Sequence, residues 1–234
     1  MAVSGKIKGI LFDSGDTLVH PTGGKWWLDP YFYEIMAKHG LDNLDWYRTE
    51  QALEEGMKYL NAHHYVITEE EEREQFGRFY EIVLRKLGRT VPSDSLIQEL
   101  SAVELDRMDI EPFPETKMVL EKLYNTNLRL GIVSDSWPSL ERKYRELGLR
   151  SYFDTFIISS RIGCFKPDER IFKAAIDSIS LPAERLLFVD DSIENVRKAE
   201  QLGLSAVVIA RDKTMDNQGA TFIDSLERVE DFLN

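Results

Sequence analysis

Four apolar runs in the second half of the chain alternate with amphipathic stretches at a regular beat, and this alternation constrains the fold most. Leu128–Val133, Thr155–Ile158, Leu186–Val189 and Ser205–Ile209 are short and mostly Val, Ile, Leu and Phe, the pattern of strands buried on both faces. Around them, Thr116–Tyr124, Leu140–Leu147, Ile171–Ile179 and Ile193–Leu202 read as helices. The last sets Ile193, Val196, Ala199 and Leu202 along one face, and Gly203 closes it. Strand and helix in strict succession predict an α/β fold with a doubly wound parallel sheet under covering helices. Ile7–Phe12 supplies one more strand at the front.

The segment from Pro21 to Ile110 breaks the beat. It has no comparable β-branched run and is rich in Glu, Leu, Lys and aromatics: Trp26, Trp27, Tyr31, Tyr33, Trp46, Tyr47, Tyr59, Tyr65, Phe76, Phe79 and Tyr80. Thr68 followed by Glu69–Glu72 has the form of a helix start, with carboxylates at the positive end of the dipole. The division expected is a core of residues 1–20 and 111–234 and a helical insertion of residues 21–110. Most of the aromatics are expected to form the insertion's own core.

At 234 residues the chain can be one large domain or a domain carrying an inserted module, and it buries enough to fold without disulfides. Its net charge of -12 argues against nucleic acid as a partner, because phosphate backbones call for clustered Lys and Arg. Small phosphorylated substrates stay open, since one Lys or a metal ion can hold them. A lone Cys164 excludes an intramolecular disulfide and a cysteine-built zinc site, and suits a reducing compartment. No apolar run approaches the ~20 residues that span a bilayer, and Met1–Leu11 lacks the form of a signal peptide. A cytoplasmic protein with no membrane partner is expected.

Ligands of open parallel sheets collect at the carboxyl ends of the strands. There stand Asp13-Ser14-Gly15-Asp16-Thr17, then Ser134-Asp135-Ser136, then Asp190-Asp191-Ser192, with Lys166-Pro167-Asp168 ahead of a later helix. Each alone reads as a turn, a cap or a solvated charge. Together, carboxylates crowded at one sheet edge repel unless a cation sits among them, and Mg²⁺, which takes oxygen ligands, suits that place.

With these residues in view, the sequence resembles the haloacid dehalogenase superfamily. Phe12–Leu18 resembles the first motif, with its nucleophilic Asp; Val133-Ser134-Asp135 the second; Lys166-Pro167 with Ile171-Phe172 the third; and Val189–Ser192 through Asn195, Ala199 and Gly203 the acidic fourth. The insertion matches in position, where the family places its first type of cap. The resemblance implies a phosphatase acting on a small phosphorylated metabolite through an aspartyl-phosphate on Asp13. It further implies Mg²⁺ held by Asp13, the Gly15 carbonyl and Asp191 with Asp190 beside them, phosphate bound by Ser134, Asp135 and Lys166, and charge offset by Lys166.

One position departs from the family's phosphatases. Two residues after the nucleophile they carry a second Asp that protonates the leaving group; here stands Gly15. Asp16 is adjacent, but in extended backbone positions two apart share a face and positions three apart do not. Asp16 reaches the site only where the loop bulges. The superfamily's 2-haloacid dehalogenases also lack the second Asp, so displacement of halide by Asp13 is an alternative, as is a weakly active member that binds a ligand or partner. Cys164 reads as a small buried thiol, His20 as a hinge or substrate contact, His39 as lacking metal-spaced companions, and His63-His64 as surface residues of the insertion.

Overall fold

The computed structural model describes residues 6–24, 26, 30–41, 44–88, 93–211 and 219–233; Trp27 lies outside them. In chain order the elements are β1 (Gly9–Phe12), β2 (Val19–Pro21), α1 (Pro30–Lys38), α2 (Trp46–Ala62), α3 (Glu69–Lys86), α4 (Asp94–Asp106) and β3 (Ile110–Pro112). They continue with α5 (Thr116–Tyr124), β4 (Arg129–Ser134), α6 (Ser139–Glu146), β5 (Thr155–Ile158), α7 (Ser159–Ile162) and α8 (Glu169–Ile179). Last come β6 (Leu186–Asp190), α9 (Ile193–Gln201), β7 (Ser205–Ile209) and β8 (Phe222–Ile223). The chain forms two units. One holds the residues up to His20, Ile110–Ser136 and those from Leu140 onward; the other holds Pro21–Asp109 and Trp137–Ser139.

In the first unit, strands run β5-β4-β1-β6-β7-β8 and all pair in parallel. The chain thus winds outward from β1 in one direction and then in the other. Every residue of β1 and β6 is buried, as continuous apolar strands of a doubly covered sheet require. Helices α8 and α9 bring Ile171, Phe172, Val196 and Ala199 onto Leu11, Val133 and Phe188 in a shared core. Register fixes the rest: Phe12 lies level with Ile132 on one side and Val189 on the other. The residues that follow β1, β4 and β6 therefore emerge side by side. The two-residue β8 is too short to show any periodicity in sequence.

In the second unit α1 to α4 pack around Met36, Leu60, Phe76, Phe79, Val83 and Leu100. The start of α3 is a capping box: Thr68 Oγ1 accepts from the Glu71 N–H at 3.2 Å, and a Glu71 carboxylate oxygen accepts from the Thr68 N–H at 3.0 Å. Two expectations need correction. Phe76, Phe79 and Tyr80 are buried and Tyr33 and Tyr59 pack against that core, but Trp26, Tyr31, Trp46, Tyr47 and Tyr65 are exposed. And while His63 is exposed, His64 is buried, its ring edge-on to Trp137 at 5.2 Å. Burial drives the His64 pKa down to about 4, so the ring stays neutral.

Trp137 comes from outside the insertion, which is why local sequence misplaces His64. Its Nε1 donates to Gln75 Oε1 at 2.6 Å and its ring meets Phe76. Ser139 donates from both N and Oγ to the buried Glu72 at 2.8 and 2.6 Å. No helix among the described residues is long and apolar enough to cross a membrane.

Gly56 lets α2 approach α3 closely: a Cβ there would lie 2.6 Å from the Phe79 ring and 2.9 Å from Val83. Alanine would gain roughly 1 kcal/mol of helix propensity but overpack a fully buried ring. We expect Gly56→Ala to lower stability by about 1–2 kcal/mol net, read as a lower urea midpoint; a higher midpoint would show that the helices separate freely.

Candidate active site

Asp13 follows β1 directly, its N–H continuing the ladder to the Val189 carbonyl at 2.9 Å. The chain then turns back: the Ser14 carbonyl accepts from Leu18 and Val19 N–H groups at 2.8 and 3.0 Å, and Asp16 N–H donates to the Val19 carbonyl at 2.8 Å. Asp16 sits at φ +52°, in the left-handed region that Asp tolerates better than most residues. The loop does leave extended geometry at the residue whose direction depended on it.

Lys166 reaches the same edge from the segment before α8. Its Nζ donates to Asp13 Oδ1 at 2.5 Å and to Asp190 Oδ2 at 2.7 Å, all three side chains being buried. Asp190 is held further. Its Oδ1 accepts from Ser192 N–H at 2.8 Å and from Asn195 Nδ2 at 3.0 Å, and Nδ2 also lies 3.2 Å from Oδ2. Ser192 caps α9, accepting from the Asn195 N–H. The exposed Asp135 accepts the Lys166 backbone N–H at 2.9 Å, so that carboxylate orients the lysine segment. Ser134, buried, ends β4 beside it.

The site thus gathers Asp13, Asp190 and Asp191 around one ammonium. Lys166 is held protonated, its pKa raised by Asp13 and Asp190 against the opposing effect of burial. Burial raises Asp13 to about 8, with Asp190 and Asp191 adding to the rise and Lys166 opposing it. Asp191 is raised to about 6 by burial and by Asp190. Excess negative charge in a desolvated place takes up either protons or a cation. Among the described residues no three His, Cys, Asp or Glu side chains close into a metal cage. Mg²⁺ does not need one: it binds through one or two carboxylates and keeps waters or phosphate oxygens as its other ligands. The Asp13 and Asp191 carboxylates with the Gly15 carbonyl suit that habit.

The sheet therefore brings Asp13, Lys166, Asp190 and Asp191 together, with Ser134 and Asp135 on the neighbouring strand end. Tyr144 is the residue that sequence does not single out. Its hydroxyl lies 2.7 Å from Ser14 Oγ, both buried, yet a Tyr in an amphipathic helix reads only as core. Cys164 is buried, and burial raises its thiol pKa, leaving it unsuited to nucleophilic work.

Fold and site together define a hydrolase with an aspartate just past the carboxyl end of its first strand. A haloacid dehalogenase-like hydrolase family model matches residues 7–203; the chain belongs to this family. It is 27% identical to the glyceraldehyde 3-phosphate phosphatase of Methanocaldococcus jannaschii, over 97% of both chains. Among solved structures it is similar to a 2-haloacid dehalogenase from Pseudomonas syringae pv. tomato, with a TM-score of 0.74, 21% identity and coverage of 97% and 98%. The magnesium-bound HAD-hydrolase YfnB of Bacillus subtilis matches with a TM-score of 0.64, 18% identity and coverage of 98% and 100%.

Carboxyl groups raised above their ordinary 3.8 keep protons that the unfolded chain has already released. Their contribution to stability therefore falls as pH rises from about 4 towards 8. Asparagine mimics the protonated form. In chelator, Asp191→Asn should match the wild type near pH 4, become progressively the more stable of the two up to about pH 6, and keep a constant advantage above it. Paired urea titrations across that range check it; a difference independent of pH contradicts it.

Proposed function

We propose that this chain is a magnesium-dependent phosphatase of a small phosphorylated metabolite, with Asp13 as nucleophile. What carries the reading is the buried Asp13–Lys166–Asp190 contact with Asp191 beside it, an excess of carboxylate charge that a dehalogenating site does not need. Asp13 attacks phosphorus, the ester oxygen departs with its bonding pair, and the aspartyl-phosphate is then opened by water to give inorganic phosphate and the free carboxylate. Lys166 offsets charge on the phosphoryl oxygens, and the Ser134 hydroxyl binds one of them. Asp190, expected beside the metal, also accepts from Lys166 at 2.7 Å. Asp13, the Gly15 carbonyl and Asp191 would hold Mg²⁺, which when bound neutralises phosphate charge so that one anion can approach another.

The leaving oxygen needs a proton that Gly15 cannot give. We assign this to Asp16, whose positive φ takes it off the extended path and whose charge contributes to the raised pKa of Asp191. The helical unit takes the role of a cap that selects substrate. The named activity of the M. jannaschii relative supports a short phosphorylated aldehyde or sugar as substrate, and the bound metal of the B. subtilis neighbour supports magnesium. A single buried thiol suits a reducing cytoplasm.

The test is phosphate release from p-nitrophenyl phosphate and glyceraldehyde 3-phosphate, with Mg²⁺ and with chelator. Chelator and Asp13→Asn should each abolish it; release that survives chelator overturns the reading. Displacement of halide by Asp13 is the second reading, favoured by Gly15, and halide set free from 2-chloropropionate without metal would establish it instead.

Asp16→Asn separates proton donor from structural brace. As donor, it should cost about 10²–10⁴-fold on glyceraldehyde 3-phosphate and far less on p-nitrophenyl phosphate, whose leaving group needs little protonation. Equal losses on both substrates would make Asp16 a brace.

A further inference from the structure

We propose that Tyr144 is a positioning residue for the nucleophile turn, acting through its hydrogen bond to Ser14. The inference rests on the phosphatase reading for its kinetic consequence, though not for its geometry.

Tyr144 lies on α6, fully buried, with its ring edge-on to Phe153 at 6.0 Å and Phe156 at 5.2 Å. For ring packing alone phenylalanine would serve. A buried hydroxyl must find a partner or cost stability, and this one finds a residue 130 positions earlier in the chain, Ser14 Oγ at 2.7 Å. Tyr144 stays neutral, because burial raises its pKa and the nearby Asp13 charge adds to the rise.

Ser14 is the link between two groups that the chemistry needs held together. Before it stands the Asp13 carboxylate and after it the Gly15 carbonyl. The Asp13 N–H is fixed on Val189, and the Ser14 carbonyl is fixed by Leu18 and Val19. The Ser14 hydroxyl is a further, side-chain handle on this residue, and Tyr144 grips it from a helix that packs its ring on Phe156 of β5. Loss of the grip frees the Ser14 side chain and loosens the turn it anchors, so that the attacking oxygen and the Gly15 carbonyl drift together. Displacements on the order of 1 Å at reacting groups cost up to about 10²-fold in rate.

The test compares Tyr144→Phe, Ser14→Ala, the double variant and Phe153→Leu, a packing control that keeps the hydroxyl pair. Kinetics on p-nitrophenyl phosphate are run well below each melting temperature, and exchange of the Leu18 and Val19 amides is followed by NMR. Tyr144→Phe should lower kcat about tenfold or more, leave KM within about twofold, and speed exchange at Leu18 and Val19 about tenfold. The double variant should lose no more than Ser14→Ala alone. Phe153→Leu should lower the melting temperature while leaving kcat and both amides unchanged. Unchanged exchange in Tyr144→Phe, additive losses in the double variant, or a Phe153→Leu that reproduces the kcat loss would each overturn the proposal. Should the wild type release no phosphate from any ester, the phosphatase reading fails, and amide exchange still decides whether Tyr144 holds the turn.

Discussion

A buried ammonium between two carboxylates is the contact on which the rest of this site depends. Lys166 lies within hydrogen-bonding distance of Asp13 and Asp190 at once, in a place where an isolated charge of either sign would be costly. Removing any of the three would strand the others, so they are kept or lost as a set. The neighbours make the set rigid: Asn195 and Ser192 occupy Asp190, and Asp135 holds the backbone of Lys166. What this fixed framework leaves unbalanced is carboxylate charge, on Asp13 and Asp191, and it is on that imbalance that the proposed cation and phosphoryl sites rest.

Topology makes the cluster possible. Because β4 and β6 flank β1, residues more than a hundred positions apart come out at one level. A one-residue slip of either ladder would send Asp190 or Ser134 to the wrong face. Continuous burial on both sides of β1 and β6 weakens facial alternation as a guard on register. The hydrogen bond from Asp13 N–H to Val189 and the lysine bridging β1 and β6 then hold the pairing as well as the chemistry.

How much of this could be read from sequence follows from what each feature depends on. The strands over Thr155–Ile158 and Ser205–Ile209 and the helix over Thr116–Tyr124 have the bounds that their local patterns predict, because apolar runs and amphipathic periods are properties of neighbouring residues. The convergence of Asp13, Lys166 and Asp190 was legible from order plus the rule for parallel sheets. Which carboxylate would take the lysine was not, since that turns on the caps and side-chain angles that place Asn195 and Ser192. His64 and Tyr144 fail for the same reason. Their partners, Trp137 and Ser14, are 73 and 130 residues away in sequence, and no local period announces such a pair.

The turn after Asp13 is built against its own conformational preference. Gly15 could adopt a left-handed backbone freely, yet the positive φ falls on Asp16, one residue later. For an L-residue the left-handed region costs about 1–2 kcal/mol, somewhat less for Asp. Turn chemistry alone would favour the reverse order, with the glycine at the strained position. A sequence that keeps a side chain there and leaves it off the neighbouring residue spends stability on a carboxylate at that point in the loop. Strain of this kind persists where the group it carries has work to do. On the phosphatase reading proposed above, that work would be the task Gly15 leaves undone, transfer of a proton to the departing oxygen.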